Sequence, residues 1–268
     1  MQFISCHDGK LQTLQTAGLR TAPDRAFVTG LEAFDALAPR QSFARGAIHE
    51  LLFDPPSGQP MFVAAVMALS AANTEARGHE STEPRRERQA NAFFIPSCLR
   101  ASVPSCLLPI ICSDPRGDVY PPALAAMGFD LSRTWLLRTP SDADEMWAVA
   151  ECLRCRGVGA VIAAPSKISR IEARRLQLAA ERGGSVGILL RQTGRGDSVY
   201  AAATRWKVSP YRGERTVQRW SIQLLHGHGG RVGQSVILEW CREDNSVRAV
   251  EKLADRPVAA ETAKRATA

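Results

Sequence analysis

The sequence lacks long hydrophobic runs, has few lysines and contains no ordered set of cysteines. No stretch approaches the roughly 18 consecutive apolar residues that a membrane-spanning helix needs. Residues 1–8 lack the basic region followed by an apolar region that is typical of a secretion signal. We therefore expect a cytoplasmic protein with no membrane partner. The seven cysteines are odd in number and scattered, which is not typical of a disulfide framework.

Candidate metal ligands are also sparse. Cys152 and Cys155 have a suggestive spacing, but no second pair completes a four-ligand zinc site, and both fall at a predicted helix. We interpret them as small residues on a helix face. His226 and His228 flank Gly227, a pattern more typical of a hairpin end than of a metal site. The sequence therefore predicts no metal centre.

The charge is strongly positive, with 34 basic against 27 acidic residues, a net charge of +7 and a pI near 9.3. A basic surface attracts phosphate without sequence preference, so nucleic-acid contact is one interpretation. Only five of the basic residues are lysine, and an arginine-rich, alanine-rich chain can equally reflect genome composition. Charge alone therefore does not establish a nucleic-acid function.

The order of patterns predicts an α/β fold. From Leu107 onwards, short apolar runs alternate with helical patterns of 10 to 15 residues, which is typical of βαβ units in a mostly parallel sheet flanked by helices. Two helix starts carry capping pairs, Ser141 with Asp144 and Ser169 with Glu172. After Arg191 the pattern changes to alternating strands separated by turns, which predicts an antiparallel C-terminal extension.

These patterns divide the chain into a main domain and two flanking segments. Residues 1–24 are predicted to form an N-terminal arm, either a helix packed on the core or a loose segment. Residues 25–242 form the domain, with Thr29 as the predicted cap of its first helix. Within it, residues 73–106 are predicted to be an exposed loop or insert with a short edge strand around Phe93. Residues 243–268 are predicted to be a flexible tail.

Residues 47–69 read as a strand, a short loop and a helix, the order found around a phosphate-binding loop. Such a loop has the spacing G-x-x-x-x-G-K-[ST], because glycines expose amides, the lysine neutralises phosphate charge and the hydroxyl binds Mg²⁺. Gly58 matches the second glycine. The first glycine, the lysine and the hydroxyl positions are occupied by Phe53, Gln59 and Pro60.

The loop therefore predicts a structural turn that has lost its triphosphate chemistry. Pro60 offers neither a hydroxyl nor an amide N–H, although it suits the first position of a helix. We interpret Pro56, Ser57, Gly58 and Gln59 as a degenerate phosphate loop that binds no cofactor. The alternative is a weak nucleotide site.

Five blocks of sequence are distinctive in their wording and in their order along the chain. They lie at residues 114–124, 127–130, 174–181, 187–191 and 203–208. The most specific are the run Arg-Arg-Leu-Gln-Leu-Ala-Ala-Glu at 174–181 and the run Ala-Thr-Arg-Trp at 203–206. Together these blocks resemble the ImuA family, the RecA/SulA-related accessory proteins of the bacterial damage-induced mutagenesis cassette. The resemblance covers roughly residues 25–242.

The resemblance implies a RecA-like P-loop core and a non-catalytic role in translesion DNA synthesis. It also implies partners: an ImuB-type Y-family polymerase homologue, an error-prone DnaE-type polymerase subunit and, as a further candidate, RecA. Hydrolysis of RecA type needs a loop lysine, a strand-end aspartate for Mg²⁺ and a glutamate that activates water. Gln59, Ala164 and Arg116 occupy those positions, with Asp114 nearby, so we predict a pseudo-ATPase.

Direct contact with single-stranded DNA is an open alternative for the C-terminal third. The candidate DNA-binding residues are Arg205, Lys207, Arg212, Arg215 and Arg219. Aromatic residues, including Trp206, Tyr211 and Trp220, are interleaved with them, as in single-strand-binding surfaces. The competing interpretation places Trp206 and Trp220 in the core and leaves the arginines to solvate strand edges.

Two other functions remain open at this point. The first is a RecA-like, DNA-dependent ATPase that acts in DNA repair, which a nucleotide-dependent rise in melting temperature would reveal. The second is a SulA-like inhibitor of cell division, which accounts less well for the length of the chain and for its C-terminal blocks.

Overall fold

The computed structural model describes residues 4–7, 10–13, 26–58, 60–73, 92–94, 108–194, 202–211, 217–241 and 246–250. The strands are β1 (Ile4–His7), β2 (Lys10–Thr13), β3 (Ala26–Phe27), β4 (Phe43–Ala44), β5 (Ala47–Phe53), β6 (Ala92–Phe94), β7 (Ile110–Ser113), β8 (Thr134–Leu137), β9 (Ala160–Ala163), β10 (Val186–Gln192), β11 (Thr204–Tyr211), β12 (Val217–His226), β13 (Ser235–Cys241) and β14 (Ser246–Val250). The α-helices are α1 (Glu32–Asp35), α2 (Met61–Ala72), α3 (Pro121–Ala126), α4 (Asp142–Arg154) and α5 (Arg170–Gly183).

One mixed sheet of ten strands organises the fold, in the order β6-β14-β13-β12-β11-β5-β10-β9-β7-β8. The run from β11 to β8 is parallel throughout. The strands β12, β13, β14 and β6 continue the sheet in antiparallel pairs. The predicted α/β class, the mostly parallel sheet and the antiparallel C-terminal extension are confirmed.

Helices cover the parallel part of the sheet on both faces, which explains its uninterrupted apolar strands. All seven residues of β5 are buried. On one face, α2 packs with residues of α1 and α3 in a large apolar cluster that also takes in β12 and β13. On the other face, α4 and α5 pack on β5, β7, β9 and β10. The carboxyl ends of the parallel strands consequently meet along one edge.

Local signals account for the position of the two outer helices. The Ser141 hydroxyl accepts the amide N–H of Asp144 at the start of α4. At the start of α5, Ser169 and Glu172 cap each other reciprocally, and Gly184 ends the helix with a φ of 71°. Both predicted helix starts are confirmed.

The predicted cap at Thr29 is wrong. Instead, the carboxylate of Asp35 accepts hydrogen bonds from the Thr29 amide at 2.9 Å, the Thr29 hydroxyl at 2.7 Å and the Gly30 amide at 3.0 Å. Burial raises the pKa of Asp35, and these three bonds partly oppose the rise. The side chain that holds this turn is therefore Asp35, the last residue of α1. Because α1 is only about one helical turn long, its last residue lies close to the residues that precede the helix.

Three predictions near the chain ends and the insert also have outcomes. Residues 4–13 contain the antiparallel pair β1 and β2, so the helical alternative for the N-terminal arm is wrong there. The predicted edge strand around Phe93 is confirmed as β6. Residues 246–250 form β14 with Val247 fully buried, which corrects the tail boundary. Most of the predicted insert and residues 251–268 lie outside the described residues.

Among the described residues, no helix combines the length and the apolar character that crossing a membrane requires.

Candidate functional site

The loop after β5 forms a compact turn at the carboxyl edge of the sheet. A short 3₁₀ turn over Pro55–Ser57 leads to Gly58, whose φ of 69° favours glycine. The Ser57 amide and hydroxyl both donate to the Asp54 carbonyl, at 2.9 and 2.6 Å. Pro60 precedes α2, which begins without a side-chain cap. The predicted order of strand, turn and helix is confirmed, whereas Gln59 lies outside the described residues.

The carboxylate of Asp54 is the charged centre of this turn. The Thr193 hydroxyl, just beyond β10, donates to Asp54 Oδ1 at 2.5 Å, and Lys207 Nζ of β11 lies 3.6 Å from Oδ2. The Thr193 amide also donates to the Phe53 carbonyl at 2.9 Å. The Thr193 hydrogen bond, followed by the Lys207 charge, lowers the pKa of Asp54. The turn therefore holds an ionised carboxylate with its counter-charge supplied from the neighbouring strands.

Further along the same edge, the acidic residues are used to hold loops in place. Asp114, which is buried, accepts the Val119 amide at 3.1 Å and lies 3.5 Å from Arg138 Nη2. Ser113 at the end of β7 donates to buried Glu145 of α4 at 2.6 Å. These contacts fix the turn after β7 and the position of α4.

The positions of the strand-end aspartate and of the water-activating glutamate carry no acidic side chain. Ala164 and Pro165 follow β9, so no acidic side chain ends that strand. Arg116 is exposed and forms an ion pair with Asp118 at 2.9 Å. Within the described ranges, no group of three or more histidine, cysteine or acidic residues is arranged to hold a metal ion.

The candidate DNA-binding residues separate into different environments. Arg205 is buried, and its Nε donates to Glu50 at 2.7 Å. Lys207 contacts Asp54, and Arg219 Nε donates to Glu239 at 2.7 Å. Arg212 and Arg215 lie outside the described residues. Of the three that the structure describes, Lys207 and Arg219 are partly exposed and each pairs with a carboxylate. The buried ion pair corrects the assignment of Arg205 to a DNA surface.

The two tryptophans of this region pack inward. Trp206 is fully buried, with its ring 4.9 Å from that of Phe34. Trp220 stacks on Phe62 of α2 at 4.6 Å. Tyr211, in contrast, is exposed at the end of β11. The interpretation that placed both tryptophans in the core is confirmed for Trp206, whereas Trp220 is partly buried and packs against the core.

Sequence reasoning missed a buried ion cluster in the middle of the sheet. Glu50 of β5 accepts Arg191 Nη1 of β10 at 3.2 Å and Arg205 Nε of β11 at 2.7 Å. All three residues are buried. The available signal was Glu50 inside the mostly apolar run of β5, since a buried charge is nearly always paired.

Sequence reasoning also missed a network of hydrogen bonds between uncharged side chains on the opposite face of the sheet. Trp206 Nε1 donates to Thr204 Oγ1 at 2.8 Å, and Thr204 Oγ1 lies 2.7 Å from His49 Nδ1. His49 Nε2 lies 3.0 Å from the Ala44 carbonyl, so the network assigns the proton to Nε2 and the Thr204 proton to the bond with Nδ1. Burial lowers the pKa of His49 to about 4, which keeps the ring neutral.

Comparison with known proteins finds two named relatives of this chain. Two curated sequences, both named Protein ImuA and both from strains of Caulobacter vibrioides, are 29% identical to this chain over 168 residues. The alignment covers 56% of this chain and 69% of each relative. The predicted resemblance to the ImuA family is confirmed. No family model matches the chain. This ImuA-like chain therefore carries, after β5, a turn whose charge is balanced by its own side chains.

Proposed function

We propose that this protein is a non-catalytic accessory factor of damage-induced mutagenesis, which acts in translesion DNA synthesis as a degenerate RecA-like scaffold. The likeness to ImuA sequences supports the biological setting. The observation that carries the non-catalytic part is the ionised Asp54, held by Thr193 and Lys207 at the turn after β5.

A triphosphate at this turn would meet an unfavourable field. A working phosphate loop converges amide N–H groups and a lysine on the anion. Here the turn begins with a carboxylate, and Lys207 already lies beside it. Pro60 at the start of α2 has no N–H to offer. Phosphate would therefore have to displace a half-exposed ion pair and approach a like charge.

The arrangement of strands supports a RecA-like ancestry. In open α/β sheets, ligands bind outside the carboxyl ends of the parallel strands. The turn after β5 occupies that position, between β10 and β11. In this proposal, the protein has kept the strand, turn and helix of a nucleotide site and has lost the groups that bind phosphate.

The partners in this proposal are an ImuB-type Y-family polymerase homologue and an error-prone DnaE-type polymerase subunit, with RecA as a further candidate. Purified chain mixed with each component and passed through a size-exclusion column tests the assignment. We expect co-elution with at least one polymerase component. Separate elution from both polymerase components would contradict the proposed role.

The alternative of a DNA-dependent ATPase makes an opposite prediction. A thermal-shift series with millimolar Mg-ATP, with and without single-stranded DNA, is expected to leave the melting temperature unchanged, because only a ligand of the native state raises it. A working P-loop ATPase serves as the positive control. A nucleotide-dependent rise accompanied by phosphate release would replace the scaffold with an enzyme.

A second candidate function, contact with single-stranded DNA, is favoured by one row of side chains. Strand pairing places Tyr211, Arg219, Glu239 and Arg248 side by side across β11 to β14. Lys207 lies four residues before Tyr211 on the same strand and therefore on the same face. Exposed tyrosine beside basic groups suits base stacking and phosphate contact. Fluorescence anisotropy with labelled oligo-dT tests it, and Tyr211→Ala should weaken binding several-fold.

A further inference from the structure

The outer face of α5 is chemically unlike an ordinary solvated helix face. Its inward residues, among them Ala173, Leu176 and Ala180, are buried against the sheet. The opposite side presents Ile171 and Leu178, which are two helical turns apart and are 73% and 41% exposed. Two exposed aliphatic side chains alone are ordinary on a protein surface, so the case for an interaction surface depends on the residues around them.

Arginines flank this aliphatic stripe. Arg174, Arg175 and Arg182 are exposed on α5 at spacings of three, four and eleven residues from Ile171. In the part of the chain that the structure describes, none of these three guanidinium groups lies within ion-pair distance of a carboxylate.

The acidic residues of α5 have other partners. Glu172 accepts the Ser169 amide in the capping box at 2.7 Å, and Glu181 accepts Gln177 Nε2 at 3.0 Å. The Ser169 hydrogen bonds, and to a smaller extent the charge of Arg175, lower the pKa of Glu172. The outer face of α5 thus carries an excess of positive charge around an apolar stripe.

The neighbouring helix α4 completes a groove. Arg154 of α4, together with Arg175, Leu178 and Arg182 of α5, lines a shallow depression between the two helices. Arg154 forms an ion pair with Glu151 of its own helix, so the excess positive charge of this surface comes from Arg175 and Arg182. Trp147, two turns before Arg154 on α4, is 52% exposed. We call the surface formed by Trp147, Arg154, Ile171, Arg175, Leu178 and Arg182 the α4–α5 groove.

We propose that the α4–α5 groove binds an acidic amphipathic helix of a partner protein. The aliphatic side chains would pack on the apolar side of that helix, and the arginines would pair with its flanking carboxylates. This inference deepens the proposed function, because it assigns a partner to one surface, and it rests on that function only for the identity of the partner.

The chemistry favours a protein segment over two other occupants. Nucleic acid would satisfy the arginines and could stack on Trp147, but it would leave the aliphatic side chains of Ile171 and Leu178 uncovered. A second copy of this chain, related by a twofold axis, would bring the same basic face against itself, so that like charges would oppose each other. An acidic amphipathic helix matches both the charge and the apolar stripe.

A peptide-binding experiment tests the groove itself. The probe is a fluorescein-labelled, helix-forming peptide of about 18 residues, with leucines on one face and flanking glutamates. Its control is a scrambled isomer of the same composition, which keeps the charge and loses the apolar face. Fluorescence anisotropy at physiological salt should show the amphipathic peptide binding about tenfold tighter than the scrambled one, a difference of about 1.4 kcal/mol.

Variants of the groove sharpen the test. The double change Arg175→Glu with Arg182→Glu should weaken peptide binding by about tenfold or more, and Leu178→Ser by several-fold. Arg116→Glu and Val232→Ser, which alter exposed residues outside the groove, should leave binding unchanged. Circular dichroism and thermal melts show that each variant keeps its fold.

Any one of three outcomes would overturn the groove assignment: equal binding of the scrambled peptide, unchanged binding by the groove variants, or displacement of the peptide by oligo-dT that binds more tightly through the same arginines.

A parallel experiment uses the purified polymerase components. If the peptide results hold and neither component binds, the proposed function fails and the groove stands. If a component binds wild type and the double variant equally, the function stands and the groove assignment is wrong.

Discussion

The two faces of the central sheet bury polar groups in different ways, and adjacent residues of β5 show the contrast. His49 points into the aromatic cluster beside Phe27 and Phe43 and stays neutral in a chain of hydrogen bonds. Glu50 points to the opposite face and stays charged between Arg191 and Arg205. One face thus avoids burying charge, whereas the other neutralises it, so the two should respond differently to mutation and to pH.

The largest expected effect comes from breaking the charged face. Glu50→Gln would remove the carboxylate charge that faces two buried guanidinium groups, and we expect a loss of about 3–5 kcal/mol of unfolding free energy. Urea denaturation followed by circular dichroism measures it. Asp118→Asn is the matched control, because that exposed carboxylate also pairs with an arginine and should cost less than about 1 kcal/mol. Equal losses in the two variants would show that burial does not distinguish the pairs.

Acid should break the neutral face. The pKa of His49 is lowered by burial from 6.5 to about 4, so the unfolded state binds its proton first as the pH falls. The contribution of His49 to the unfolding free energy is fully present above pH 6.5, and it falls by about 3 kcal/mol as the pH approaches 4. Unfolding curves of wild type and His49→Gln between pH 7 and 4 measure the difference. If the unfolding free energies of wild type and His49→Gln changed with pH by the same amount throughout this window, the neutral state of His49 would be contradicted.

A smaller loss of stability is expected from removing a serine of α5, on one face of the sheet, than from the changes above, and none from removing a serine of α2 on the other face. Ser169→Ala removes the capping box of α5 and should cost about 1 kcal/mol. Ser70→Ala, within α2, removes only a bond to the Val66 carbonyl and gains helix propensity, so it should be neutral or slightly stabilising. Thermal denaturation compares the two serines, and a larger loss at Ser70 would reverse the expected order.

The smallest effect is expected on the outer side of α5. Ile171→Ser and Leu178→Ser should each change the unfolding free energy by no more than about 0.5 kcal/mol, because these side chains project into solvent. Melting temperatures provide the measurement. A large loss would mean that the stripe packs within the molecule and is not free to bind a partner.

Sequence patterns predicted the elements whose signals are local. The helices α4 and α5 have capping residues within three positions of their starts, and β9 and β10 are continuous apolar runs. The same reasoning predicted the turn after β5, because a glycine and three prolines lie within seven residues.

The polar contacts that define the site could not be predicted in this way. Glu50 meets Arg205, and His49 meets Thr204, across 155 residues of sequence. Asp54 is bound by Thr193 from 139 residues away. Such pairs depend on which strands become neighbours in the sheet. For the same reason β14 was missed, since Val247 becomes a core residue only once β13 is beside it.

The self-contained charge balance at Asp54 has a consequence for the cell. Proteins whose fold is completed by a nucleotide gain stability in proportion to the logarithm of its concentration, and they lose it when the supply falls. Under the proposed function, Thr193 and Lys207 supply the contacts of Asp54 from within the chain, so the stability of the turn would not depend on the ATP level. The amount of folded protein would then be set by its synthesis and turnover, even when DNA damage or starvation depletes the energy pool.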